Sequence, residues 1–358
     1  MSESTTIRTG QIKTGLIGYG LSGRVFHAPF VATNPAFSLE VIATGNPDRQ
    51  ADARATHPGV DIVASPDELL ARAEDLDLVI LASPPGVHLA QGLTALDAGA
   101  AVVIDKPFVP TVLDAKKLIA KSESVGQGLF VFQNRRWDGD FLTIKKLLAD
   151  GALGTVHRFE STFERWGSPK TGLWQETTAI EAGAGITFDL GSHLIDQALH
   201  LFGPATVEQA ELVRVREGAS EDDSFISLLH TSGVRSHLTM SRAAAQTGPR
   251  FRVLGDKSGY SVHGLDNQEA ALRQKRWPGS EGYGVTPEAE WGLLGIDGSA
   301  GGLTPYPTEP GAYPEFYAGV AASILDGAPS PVDPRDSLEV VRIIERAHEI
   351  ATKTQQLA

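Results

Sequence analysis

The chain has 358 residues, 41% of them hydrophobic, no cysteine, and a formal net charge of -13. The length predicts about two domains with a real core, and the lack of cysteine excludes disulfides, thiolate catalysis and cysteine-based metal sites. The acidity argues against nucleic acid or an anionic membrane surface as partner, and no run of about 18 apolar residues predicts a membrane span.

The polar stretch Met1 to Gly10 lacks an apolar secretory core. It reads as a frayed tail on a cytoplasmic protein. Ile12 to Gly18, Leu39 to Thr44, Leu76 to Ser83 and Ala101 to Lys106 then read as buried strands. Helical patterns separate them. Ser65-Pro66-Asp67-Glu68 has the spacing of a capping box, with Pro66 at the first helical position. A helix over Ala90 to Ala98 is expected to end at Gly99, and another to run from Thr111 to about Val125. Gly128 to Asn134 is one more strand. This alternation predicts an α/β Rossmann domain, a doubly wound parallel sheet spanning residues 11–133.

Beyond Gln133 the pattern changes. Val156 to Glu164 alternates, with Phe159 and Phe163 on one face. Asp189 to Phe202 is expected to be one continuous helix. Strands follow at Val207 to Arg216, Phe225 to His230, Val234 to Met240, Phe251 to Gly255 and Tyr260 to Gly264. Leu265 to Ala312, rich in Gly and Pro, is expected to be irregular. Pro314 to Leu325 and Pro334 to Thr354 read as closing helices. Residues 134–358 are thus expected to form an α+β domain with a large open, mostly antiparallel sheet, its last helix free to pack back on the first domain.

Gly18-Tyr19-Gly20-Leu21-Ser22-Gly23 follows a strand and opens a helix, the context a dinucleotide fingerprint requires. Gly18 permits the tight turn, Gly20 admits a pyrophosphate, and Gly23 lets the helix pack on the sheet. The helix start supplies unpaired N–H groups. The second strand ends in Thr44-Gly45-Asn46-Pro47-Asp48-Arg49, without the carboxylate that commonly holds the ribose of NAD. Thr44, Asn46 and Arg49 suit a 2′-phosphate, so NADP is favoured over NAD. The competing reading has Asp48 turning back to serve NAD, or Arg49 simply solvated. Ser83, Pro84 and His88 follow the Leu76 strand on the edge where ligands bind. His88 is expected either to approach the cofactor or to cap its helix.

Asp105 and Lys106 lie on that same edge, within reach of the coenzyme, and Pro107 holds Lys106 extended. Asp189 and His193 stand four residues apart, so on an α-helix one face carries both. A carboxylate there can orient the ring and raise its basicity. On spacing alone a structural helix-surface pair, involving Asp196 or His200, is the simpler explanation. No further ligand cluster accompanies them, so no metal is expected.

Together the glycine fingerprint, Asp105-Lys106-Pro107 and the Gly185 to His193 segment resemble the glucose–fructose oxidoreductase/inositol dehydrogenase/rhizopine-catabolism (Gfo/Idh/MocA) family, from Ile12 to about Thr354. Phe26-His27-Ala28-Pro29-Phe30, Asn134-Arg135-Arg136-Trp137-Asp138 and Asp189 to Gly203 resemble its branch of NADP-dependent scyllo-inositol dehydrogenases. The resemblance implies an NAD(P)-dependent dehydrogenase that oxidises a secondary hydroxyl of a cyclic polyol or sugar. Lys106, Asp189 and His193 would be catalytic. His193 would act as base, Lys106 would assist at the oxygen, and Asp189 would hold the imidazole or the substrate. The lysine motif usually reads Glu-Lys-Pro, and its peptide bond to Pro107 is frequently cis. Asn134 matches a position near the nicotinamide. Trp174 matches the tryptophan of a Trp-Arg pair near the cofactor, with Gln175 in place of the arginine. A homodimer or homotetramer through the second-domain sheet is implied. A second reading, cleavage of glycosides by transient ring oxidation, uses the same residues, whereas a third, a cofactor-sensing regulator without chemistry, has the retention of Lys106, Asp189 and His193 against it.

Overall fold

The computed structural model describes residues 10–167 and 178–357. The expected Met1 to Gly10 tail falls almost entirely outside the described residues, and Trp174 and Gln175 fall outside them too. Six parallel strands form the first sheet: β1 (Ile12–Ile17), β2 (Phe37–Ala43), β3 (Asp61–Val63), β4 (Leu78–Leu81), β5 (Ala101–Asp105) and β6 (Leu129–Phe132). Their order is β3-β2-β1-β4-β5-β6. This is the doubly wound arrangement, with its reversal of direction between β1 and β4. Alternate residues of each strand feed opposite faces: Ala101 and Val103 pack on one side, Val102 and Ile104 on the other. The capping box forms as expected, with the Ser65 hydroxyl accepting from the Glu68 N–H and the Glu68 carboxylate accepting from the Ala64 N–H.

Eight strands form the second sheet: β7 (Val156–Glu164), β8 (Ala205–Val213), β9 (Asp223–His230), β10 (Arg235–Ser241), β11 (Phe251–Gly255), β12 (Gly259–Val262), β13 (Gly292–Gly295) and β14 (Leu303–Tyr306). The order is β14-β13-β12-β11-β7-β10-β9-β8, antiparallel except for the parallel pair of β10 with β7. One face is covered by the Ser192–Phe202 helix. Phe159, Phe163, Ile226, Leu238 and Phe251 meet Leu194, Ile195 and Ala198 there.

Two features depart from expectation. Residues 265–312 are not irregular throughout: they hold the short helix Gln268–Arg273 and the β13–β14 pair that extends the sheet. The segment from Asp189 is not one regular helix either. It begins with a π-helical turn, Thr187–Gly191, which then passes into the α-helix Ser192–Phe202.

The last two helices serve the first sheet as well as the second. Phe316, Tyr317 and Val320 of Pro314–Asp326 pack under β1, β4 and β6. The closing helix Pro334–Leu357 sends Leu338 and Val341 into the core of the first sheet and Ile344 and Ala347 into that of the second.

Candidate active site

The glycine loop is built by backbone contact. Gly18 has φ of 92°, and a Cβ on it would lie 2.5 Å from the Ala82 carbonyl oxygen. A Cβ on Gly23 would lie 1.9 Å from the Gly18 oxygen, so only glycine fits. Gly20 differs: the nearest atom to its Cβ position is Arg49 Nη1 at 3.6 Å. Its backbone is therefore open to a ligand, and a guanidinium stands over it. A π-helical turn, Gly23–His27, follows immediately. Of the remaining loop residues, Tyr19 is buried, Leu21 is exposed, and Ser22 donates to Asp105 Oδ2 at 2.5 Å.

At the end of β2, the Thr44 carbonyl accepts from Gln50 Nε2, and Asn46 Oδ1 accepts from the Arg49 N–H at 3.0 Å. Asn46 thus caps the Pro47–Thr56 helix and fixes the base of Arg49. Past β4, Ser83 Oγ donates to Gln91 Oε1 and Pro84 precedes a short 3₁₀ turn. His88 fits neither role expected of it. It is fully buried, and its two ring nitrogens lie 2.8 Å from the carbonyls of Phe108 and Ser83. It ties the loop after β4 to the loop after β5.

The Lys106–Pro107 bond is cis. Asp105 Oδ1 accepts from the Lys106 N–H. The ammonium of Lys106 crosses to the second body, lying 2.9 Å from the Asp189 carbonyl oxygen and 3.1 Å from Asp189 Oδ1. An ammonium has three donors; two are used here, leaving one for a ligand. Asp189 Oδ2 accepts from Arg242 Nη2 at 2.7 Å, and Arg165 stands 3.9 Å away. Burial alone would raise the Asp189 carboxyl, but Lys106 and Arg242 outweigh it and hold it far below the usual carboxylate range.

The expected Asp189–His193 contact is not made. A π-turn inserts an extra residue, so the four-residue spacing no longer stacks the two side chains. Gly185, at φ of 97°, sets the start of that turn, and Glu221 Oε1 accepts from the Thr187 N–H at 3.2 Å. His193 is buried, with Nδ1 unpartnered. Burial, then Lys106, Arg135 and Arg250, push its imidazole well below the usual histidine range, so the ring is neutral. Asp196 proves structural: both its oxygens receive the Arg136 guanidinium, at 2.8 and 2.7 Å. Asn134 is buried at the start of the 3₁₀ turn after β6. Among the described residues, no group of three or more His, Asp or Glu side chains could hold a metal ion.

The sequence reading missed Arg165, Arg242, Arg135 and Arg250. Arg165 and Arg242 stand just beyond the ends of β7 and β10, Arg250 just before β11, and Arg135 in the turn after β6.

The glycine loop therefore fits a dinucleotide over Gly20, and Lys106 bonds to Asp189 while its charge acts on the His193 imidazole. A family model described as "Oxidoreductase family, NAD-binding Rossmann fold" matches residues 12–133, and one described as "GFO/IDH/MocA C-terminal domain" matches residues 141–261. The scyllo-inositol 2-dehydrogenase (NADP(+)) IolW of Bacillus subtilis is 34% identical over 94% of this chain and 93% of its own length. The D-apiose dehydrogenase of Paraburkholderia graminis is 30% identical, over 70% of this chain and 65% of its own. A solved structure of the Bacillus subtilis oxidoreductase yvaA superposes with TM-score 0.89 at 32% identity, covering 97% of this chain and 98% of that one.

Proposed function

Because this chain belongs to the Gfo/Idh/MocA oxidoreductase family, we propose that it oxidises a secondary hydroxyl of a cyclic polyol or sugar with an NAD(P) coenzyme, NADP preferred. One observation carries the reading: Lys106, from the ligand edge of the first sheet, meets the Asp189–His193 segment of the second body. The relatives named for inositol and apiose oxidation support the substrate class.

The first body, residues 11–133, would hold the coenzyme on the Gly18 to Gly23 loop, with Thr44, Asn46 and Arg49 at the adenosine end. Residues 134–358 would hold the substrate. When bound, the coenzyme's oxidised nicotinamide supplies the hydride acceptor. The chain's own residues manage the oxygen and its proton. The free donor of Lys106 bonds to the carbinol oxygen as it becomes an alkoxide. A preorganised donor of this kind is worth roughly 10²–10³-fold. His193, neutral in its cationic surroundings, takes the hydroxyl proton, worth about 10²–10⁴-fold. Asp189 acts on Lys106 rather than on the imidazole, fixing the ammonium through its carbonyl and carboxylate. Assembly into a homodimer or homotetramer through the second sheet is part of the same proposal.

The test is a panel of inositols, pentoses, hexoses, hexuronates and hexose phosphates assayed with NAD and NADP, read by absorbance of the reduced nicotinamide. Turnover of at least one polyol with stoichiometric coenzyme reduction is expected. No reduction with any member would defeat the proposal.

A further inference from the structure

β7 and β10 run parallel in register, Glu164 opposite Ser241. The next residue of each strand is an arginine. Arg165 and Arg242 therefore leave the sheet side by side, and both reach toward Asp189 Oδ2, at 3.9 and 2.7 Å. The other carboxylate oxygen is held by Lys106. Around this one carboxylate stand three cations. Like charges on adjacent strands repel, and both guanidinium groups turn to the same carboxylate oxygen.

Arg165 is the surplus member. Its side chain is 49% exposed and makes no hydrogen bond to a described residue, only the 3.9 Å approach to Asp189. Glu269, the other carboxylate acting on it, is already held by Arg135 and Arg273. Nearby Arg216 is accounted for: it stacks on Trp166, donates to the Gly167 and Arg242 carbonyls, and faces Asp222. A guanidinium offers five donors in a fork that matches a carboxylate or phosphate. A neutral polyol needs no such fork, whereas a half-open one beside the reacting oxygen suits an anion.

We infer that Arg165 is a substrate-specificity residue, and that the polyol oxidised here carries an anionic group, a carboxylate or a phosphate, which Arg165 grips while Lys106 and His193 address the hydroxyl. This rests on the oxidoreductase reading above and narrows its substrate.

The test compares a hexose, the matching hexuronate and the hexose 6-phosphate. For the wild-type enzyme, kcat/KM for one of the two anions is expected to exceed that for the hexose at least tenfold; which one does so identifies the group. In Arg165→Gln that ratio should fall toward one, and in Arg165→Lys part of it should remain. Calorimetry on the enzyme with NADPH should show saturable anion binding that Arg165→Gln loses. A wild-type enzyme that prefers the neutral sugar, or a ratio unmoved in Arg165→Gln, overturns the inference and leaves the dehydrogenase reading standing. If no sugar is oxidised at all, the dehydrogenase reading fails, and calorimetry decides alone: Arg165-dependent binding upholds the anion site, and its absence overturns that as well.

Discussion

Lys106 and Asp189 are 83 residues apart in the chain and touch twice, the ammonium bonding to both the backbone carbonyl and the side chain of the acid. Asp189 is therefore a positioning residue for the lysine. Asp189→Ala should cut kcat about 10²-fold, through a misplaced Lys106. Lys106→Ala should cut it about as far, consistent with loss of an oxyanion donor. NADPH binding, followed by nicotinamide fluorescence, should survive in both. The two losses should not add in the double variant, since both act through one ammonium. Additive losses would separate their roles.

His193 should govern the acid limb of the pH profile. Its imidazole is held well below the usual range, so kcat/KM should stay high as pH falls through about 6.5, the ordinary histidine value. His193→Ala should lower kcat about 10²–10⁴-fold and remove the limb. A limb centred above 6.5 in the wild type would contradict the buried, cation-flanked setting.

Arg49 should set coenzyme choice. Its guanidinium stands over Gly20, so Arg49→Ala should raise KM for NADPH about tenfold, the equivalent of roughly 1.4 kcal/mol, with a far smaller effect on NADH. Steady-state kinetics with both coenzymes reads this directly. Equal loss for both would assign Arg49 to the pyrophosphate end.

Asp140 supplies a stability prediction away from the chemistry. It is buried, and burial followed by the neighbouring Asp138 pushes its carboxyl up to about 7. A folded pKa above the unfolded value favours the neutral acid in the fold. That contribution is whole below about 4 and is lost as pH rises through 7. The urea midpoint should therefore fall between about pH 4 and 7 and level off above, and Asp140→Asn should flatten the fall.

Breaking the buried Arg136–Asp196 pair should be costly. Among the described residues, Asp196→Ala leaves the guanidinium with Asp336, at 3.0 Å and half exposed. About 3 kcal/mol of stability should be lost, read as a lowered denaturation midpoint.

Much of this was legible in the chain itself, where local rules and tertiary demands agree. The Ser65 cap, the Gly18 to Gly23 turn and the alternating β7 phenylalanines follow from short-range chemistry. The family resemblance, with both halves of the chain matched, followed from the glycine fingerprint, Asp105-Lys106-Pro107 and the Gly185 to His193 segment. Illegible features depend on partners far along the chain. The Asp189–His193 spacing misled because a π-turn depends on what packs against it, here Glu221. β13 and β14 escaped notice because both are only four residues long, β13 is half glycine, and Pro305 is tolerable only on the edge strand that β14 is. Arg165 and Arg242 looked like ordinary charges until the parallel pairing of β7 with β10 set them side by side.

The closing helix has a consequence for biosynthesis. It follows every other described element in the chain, yet it supplies Leu338 and Val341 to one core and Ile344 and Ala347 to the other. Neither body can seal its apolar interior while the ribosome is still making that helix. A message cut short before Pro334 would therefore release a product with two open cores, a ready target for proteolysis rather than half an enzyme.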